Sequence, residues 1–278
     1  MNHRELLEGA LAAAELGADV LKRHFRSGGL EVHSKALNDF VTQADHESEA
    51  AVVAELLGRF PDHRILAEEG SLNAAASAGA TGASDYEWII DPLDGTTNFL
   101  QGLPIWAVSI ACRRGDEILA GVVLDPQGGN CFTAVRGGGA FWNGRRMRVS
   151  DRPALSGAFL ATGYPFRAKA ALDLYLGLFR GVFTEARAIR RCGSAALDLA
   201  YVAAGVYDGF FEFRLAPWDI AAGALLIEQA GGVLSDLDGG ADFLRSGNVL
   251  AGNPGVHAGL LAIAKGHASE AELDRLVP

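Results

Sequence analysis

Apolar positions near the start of the chain recur at Leu7, Leu11, Ala14, Ala18, Leu21 and Phe25. Steps of four and three put these residues on one helical face, so the spacing predicts an amphipathic helix ending near Gly28-Gly29. Residues 30–44 carry Lys35 and Asn38-Asp39 and read as an extended loop or a short hairpin. A second helix is expected from about Asp45 to Leu57, with Val52, Val53, Leu56 and Leu57 as its buried face and Pro61 barring its continuation. Residues 71–84 are rich in Ala, Ser and Gly without periodicity, the pattern of a mobile surface loop.

Strand signals then crowd together over 87–91, 105–113, 117–124, 130–136 and 140–142, with Arg114-Gly115-Asp116 and Pro126-Gln127-Gly128-Gly129 as hairpin turns. This run predicts a large antiparallel sheet packed on the two N-terminal helices. From about residue 150 the pattern changes to alternation. Strands are expected at 157–162, 187–191, 207–213, 232–236 and 248–251, and helices at 169–182, from Ser194, and from Asp219 to Ala230. The fold class is therefore α/β (α+β), with residues 1–149 forming one domain and 150–278 a second, tightly packed on it because no linker composition separates them.

Composition narrows the function. With 278 residues the chain can bury a large core, and 49% hydrophobic with 21% charged residues is ordinary for a soluble globular protein. A net charge of −10 and the absence of any basic block argue against direct nucleic-acid binding. Cys112, Cys131 and Cys192 are odd in number and widely spaced, which suggests neither a disulfide framework nor a zinc cluster and fits reduced thiols in a cytoplasm. Arg4, Glu5 and Glu8 are incompatible with a signal peptide, and no apolar run is long enough to span a membrane.

Candidate chemistry concentrates at Trp88-Ile89-Ile90-Asp91-Pro92-Leu93-Asp94-Gly95-Thr96-Thr97. An apolar strand ends in two carboxylates, which are costly when buried unless a cation pairs with them. Pro92 fixes φ and lacks a ladder donor, so a turn is expected there that brings Asp91 and Asp94 together and frees the Leu93 carbonyl. Gly95 permits an unusual backbone angle, and Thr96 can open a helix whose N–H groups face an anion. Glu68-Glu69 comes after the apolar pair Ile65-Leu66, and Asp219 precedes an apolar helix, where a simple N-cap role would also explain it. Hard carboxylate oxygens suit Mg²⁺, and Mg²⁺ suits phosphate.

These acidic segments, in this order, resemble the inositol monophosphatase family. Gly193-Ser194-Ala195-Ala196-Leu197-Asp198, Tyr207-Asp208-Gly209-Phe210-Phe211-Glu212, Pro217-Trp218-Asp219 and Gly231-Gly232 continue the resemblance, as does Lys35 with Asp39, Val41-Thr42 and Asp45. It implies a layered αβαβα sandwich of the inositol monophosphatase and fructose-1,6-bisphosphatase type. It also implies a lithium-sensitive phosphatase holding two or three Mg²⁺. Glu68, Asp91 and the Leu93 carbonyl would bind one ion. Asp91, Asp94 and Asp219 would bind another, and Glu68 would hold a weaker third through waters. Glu69 would stand one layer behind the ligands, and Lys35 would approach the metals from its loop. Gly95 and Thr96 would hold phosphate, Asp45 would orient the Thr96 hydroxyl toward the attacking water, and Gly193, Ser194, Ala195 and Glu212 would meet the polyol.

The implied substrate is inositol 1-phosphate or a related polyol or sugar phosphate, with a dual inositol/fructose-1,6-bisphosphatase as one alternative. A relative with a protein-binding regulatory role in transcription is the other. The resemblance also implies a homodimer. No covalent phospho-enzyme is required.

Overall fold

The computed structural model describes residues 1–27, 32–36, 39–70, 84–166 and 169–267, with side chains on the first two strands described only at Thr42. The first helix spans His3–His24 and buries Leu6, Ala10, Ala14, Ala18 and Leu21. It is capped at its start by Asn2, whose side chain accepts the Arg4 N–H at 3.0 Å. It stops four residues short of the expected glycines, which lie outside the described residues. Strands β1 (Val32–Ala36) and β2 (Asp39–Thr42) pair antiparallel, so the hairpin alternative for 30–44 holds for the described part. The second helix, Gln43–Arg59, starts earlier than expected because Thr42 and Asp45 cap it reciprocally. The expected loop at 71–84 falls, apart from Ser84, outside the described residues.

Seven strands form the larger sheet, ordered β3 (Arg64–Ala67), β4 (Tyr86–Asp94), β5 (Ala107–Arg114), β6 (Glu117–Asp125), β7 (Asn130–Val135), β8 (Gly139–Trp142) and β9 (Arg145–Arg146). The sheet is antiparallel except at one edge, where β3 runs parallel to β4. The strands expected from the sequence pair antiparallel, and β3, which was not among them, joins the edge in parallel because a long connection rather than a hairpin leads from it to β4. Trp88 and Ile90 of β4 pack toward the two N-terminal helices, while Ile89 packs toward the opposite core. The strand is buried on both faces, which is why it reads as a continuous apolar run.

A smaller mixed sheet has the order β11 (Ala188–Arg190), β10 (Phe159–Thr162), β12 (Gly209–Glu212), β14 (Val249–Gly252) and β13 (Val233–Ser235). Helices Ala195–Ala203 and Pro217–Gln229 lie between the two sheets in a shared core that includes Ile89, Phe132, Leu199, Leu225 and Phe210. Helices Leu172–Glu185 and Pro254–His267 cover the outer face of the smaller sheet with Leu174, Leu178 and Leu260. The result is the αβαβα layering that the resemblance implied. Pro254–His267 was not foreseen from the sequence. Among the described residues no helix is long and apolar enough to cross a membrane.

The central helix Pro217–Gln229 sits unusually close to the larger sheet. A Cβ built on Gly121 of β6 would lie 3.2 Å from the Ala222 Cα. Small residues on both sides permit that approach and bring the N-terminal end of the helix to the end of β4. Substituting Gly121→Val should therefore overpack the interface and lower stability by about 1–3 kcal/mol, read as a fall in the denaturant midpoint.

Candidate active site

The end of β4 organises the site. Pro92 donates nothing to the ladder, yet the strand runs on to Asp94, contrary to the turn expected at the proline. The pairing with β5 instead shifts register between Asp91 and Asp94. Within this irregular stretch the Leu93 N–H donates to Asp91 Oδ1 at 3.0 Å. Gly95 comes next with φ 98°, in the left-handed region, and opens the short helix Thr96–Leu100. A Cβ there would meet the Ile105 carbonyl oxygen at 2.9 Å, so glycine serves both the angle and the space.

Helix Gln43–Arg59 braces this segment from one side. Asp45, Ser48 and Glu49 are fully buried on one helical face. The Thr96 hydroxyl lies 3.3 Å from Asp45 Oδ1 and 3.1 Å from the Leu93 carbonyl, so its proton is shared between two acceptors. Asp45 Oδ2 accepts from the Thr42 N–H at 2.9 Å. The Ser48 hydroxyl donates to the Pro92 carbonyl at 3.1 Å, and Glu49 accepts the Glu69 N–H at 2.8 Å.

The second half of the chain braces the other side. Asp94 Oδ2 accepts from the Ser194 hydroxyl at 2.5 Å and from the Ala196 N–H at 2.8 Å. The Ser194 hydroxyl is thus committed to Asp94. Asn98 donates to the carbonyls of Ile105 and Cys192, each at 2.9 Å, and links the Thr96 helix to the loop before Ser194. Asp219 occupies the third position of Pro217–Gln229, not the N-cap, and its Oδ2 accepts the Ala216 N–H at 2.7 Å.

These elements enclose a cavity of about 180 Å³ lined by Glu68, Asp91, Leu93, Asp94, Gly95, Thr96, Gly193, Ser194, Ala195, Glu212 and Asp219. Asp45 and Glu69 stand behind that lining. Lys35 lies on β1, and its side chain is outside the described residues. Arg191, Asp198 and Gly163 also line the cavity, and the sequence reading gave none of them a role. Asp198 had a visible signal, as the single charged residue in the otherwise uncharged helix Ala195–Ala203. Gly163 had none: a Cβ there would lie 1.9 Å from the Glu212 carboxylate carbon, so only glycine leaves that acid its place. Arg214 lines the same cavity with φ 60° and donates its N–H to Asn248 at 3.3 Å.

Carboxylate oxygens of Asp91, Asp94 and Asp219 lie within 4.8 Å of one another, and all three side chains are buried. Burial, reinforced by Glu68, Asp94 and Asp219, pushes the Asp91 carboxyl well above the usual range. Burial pushes Asp94 up to about 6, although the bonds from Ser194 and Ala196 pull the other way. Glu212 is also driven well up, by burial first and then by Asp219 and Asp198, with Arg191 opposing. Such a cluster is stable as carboxylates only with compensating positive charge. A donor set of carboxylates and the Leu93 carbonyl, without His or Cys, fits a hard divalent cation.

The model of the inositol monophosphatase family matches residues 2–269 of the chain. A curated relative from Pseudomonas aeruginosa, named Nus factor SuhB, is 47% identical over 265 residues, covering 94% of this chain and 96% of its own. An inositol-1-monophosphatase from Mesorhizobium japonicum is 44% identical over 268 residues, covering 95% and 98%. Among solved structures, the extragenic suppressor protein suhB from Bartonella henselae superposes with a TM-score of 0.87 at 40% identity, covering 94% and 98%.

The raised carboxyls set a direction for pH dependence. Their folded-state affinity for protons exceeds that of the unfolded chain, so the metal-free protein gains stability at acid pH and loses it as pH rises through about 6, the value for Asp94. A divalent cation bound among them would displace those protons. Melting curves should therefore show the metal-free Tm falling between pH 5 and pH 8, and a Mg²⁺-induced rise in Tm that is larger at pH 8 than at pH 5.

Proposed function

The chain belongs to the inositol monophosphatase family, and from that premise we propose that it is a Mg²⁺-dependent phosphomonoesterase acting on inositol 1-phosphate or a related polyol or sugar phosphate. The observation that carries this reading is the buried convergence of Asp91, Asp94 and Asp219 in a cavity that also holds the Thr96 helix start and Glu212. Glu68, Asp91, Asp94, Asp219 and the Leu93 carbonyl would hold the ions. Two or three Mg²⁺ bound there would neutralise the acids and the phosphate, lower the pKa of the attacking water and stabilise the departing alkoxide.

The protein's own groups supply position. Asp45 and the Leu93 carbonyl engage the Thr96 hydroxyl proton, which leaves lone pairs on that oxygen to accept a hydrogen bond from a water and orient it. Gly95 and Thr96 present the leading N–H groups of a helix start to a phosphate. Glu212, beside the backbone of Gly193, Ser194 and Ala195, faces the hydroxyl-bearing part of the substrate and accepts from it. Asp91 and Asp94 are occupied as ligands, and water is the nucleophile. Glu69, held to the second helix through its N–H, keeps the strand end carrying Glu68 in register. A cytoplasmic homodimer belongs to the same reading, supported by an exposed apolar row of Leu172, Leu176 and Phe183 on one helix.

A panel of phosphomonoesters, including fructose 1,6-bisphosphate, assayed with Mg²⁺ and ranked by kcat/KM tests the reading. Asp94→Asn and Asp219→Asn should each lower turnover by more than about 100-fold, since groups that merely support a ligand are already worth about 10–100-fold. Near-normal rates, or activity that persists in excess chelator, would refute it.

A second reading is favoured by the name Nus factor SuhB, which several curated relatives carry. It is a protein-binding regulatory role in transcription, independent of turnover. Pull-down from a cytoplasmic extract should then recover the same partner with the wild-type and Asp94→Asn proteins, and recovery of none removes the reading.

A further inference from the structure

Among the described acids that line the cavity, Asp198 is the one that the roles above leave unused. It lies in the first turn of helix Ala195–Ala203, is 2% exposed, and lines the catalytic cavity. Its Oδ1 has no hydrogen-bond partner among the described residues. A buried carboxyl oxygen without a partner is expensive, and such atoms persist where something else completes them.

Neither a capping bond nor an ion pair accounts for it. The cap of this helix is Ser194, whose hydroxyl oxygen accepts the Leu197 N–H at 3.4 Å. The nearby cation, Arg191, makes no ion pair with Asp198. Its guanidinium lies 5.4 Å and 5.5 Å from the ring centroids of Tyr164 and Phe166 at the cavity rim. Asp198 is also not part of the close cluster formed by Asp91, Asp94 and Asp219. It does act on Glu212, whose carboxyl is driven up in part by the Asp198 charge. Two acids from separate elements, the helix and the end of β12, thus line the same cavity apart from that cluster.

We infer that Asp198 is a specificity-determining residue whose carboxyl hydrogen-bonds a ring hydroxyl of the substrate, alongside the one taken by Glu212. The substrate class is then a phosphate monoester carrying at least two hydroxyls within reach of both acids. An inositol or sugar phosphate qualifies and a simple alkyl phosphate does not. The inference rests on the phosphomonoesterase reading. It adds a hydroxyl partner on a helix that otherwise offers the substrate only its backbone.

The test compares inositol 1-phosphate with propyl phosphate, which has no hydroxyl, on wild-type, Asp198→Ala and Asp198→Asn proteins in Mg²⁺. The quantity read is the ratio of the two kcat/KM values. That ratio should fall about 10-fold in Asp198→Ala, roughly the worth of one hydrogen bond, and by less in the isosteric Asp198→Asn. Equal losses on both substrates would assign Asp198 to packing or to support of the ligands, and an unchanged ratio would leave it no role in recognition. Either result overturns the inference while the phosphatase reading stands. Should the alanine variant fail to fold, the asparagine variant decides by the same ratio. Failure of the wild-type protein to hydrolyse any phosphomonoester would remove the phosphatase reading, and this inference with it.

Discussion

Three carboxylates held within 4.8 Å of one another in a buried cavity repel, and much of the molecule is arranged to keep them together. Asp94 shows how. Its Oδ2 accepts a hydroxyl proton from Ser194 and an N–H from Ala196, and both donors come from the other half of the chain. Hydrogen bonds to a charged acceptor are worth about 1.5–3 kcal/mol each, enough to hold a side chain against a nearby like charge. The same two bonds fasten the end of the larger sheet to the start of a helix packed under the smaller one. The site and the junction between the halves are therefore one piece of structure.

The layering makes that junction stiff. Helices Ala195–Ala203 and Pro217–Gln229 share a core with both sheets, so neither can shift without disturbing the other half. Ala and Gly at the contacts, such as Gly121 against Ala222 and Gly223 against Leu199, let backbones approach where larger residues would hold them apart. On the far side, Asp45, Ser48 and Glu49 continue the buried stripe of Val52, Val53 and Leu56 on one helix. Three polar groups take the end of that stripe nearest the site, and each bonds a backbone or side-chain group of the site segments.

How much of this was legible depended on whether the signal was local. The β4 run and its acidic end stood out because a strand buried on both faces is continuously apolar and its terminating charges are conspicuous. Asp219 was legible from its place before an apolar helix, although its N3 position was not. The bond from Ser194 to Asp94 spans a separation of 100 residues, and nothing in the local pattern of either segment announces it. Pro92 misled because the loss of a ladder donor was read as a turn, whereas the strand absorbs it by slipping register. Helix Pro254–His267 was hidden by Gly255, Gly259 and Gly266, which lower helix propensity. Two of those glycines are explained by tertiary packing: a Cβ on Gly255 would lie 2.3 Å from the Pro153 carbonyl oxygen, and one on Gly259 2.6 Å from the Leu155 Cβ.

The helix starts complete the electrostatic account. Four helices direct their N-terminal ends to one region: Gln43–Arg59 through Asp45, Thr96–Leu100 through Thr96, Ala195–Ala203 through Ser194, and Pro217–Gln229 through Asp219. Each N-terminus carries partial positive charge worth about 0.3–1 kcal/mol to a nearby anion. Four of them offset only part of the repulsion among the acids, since burial still drives Asp91 and Asp94 toward protonation. The balance is informative. A site fully neutralised by its own backbone would have little use for a cation, and one with no positive ends would pull its cations onto carboxylates alone. On the proposed reading, partial compensation leaves the acids in need of divalent charge while the N–H donors at Gly95 and Thr96 would receive an anion that arrives with it. Cation and phosphate are thus favoured together, the condition under which a metal-dependent phosphatase site binds its substrate instead of repelling it.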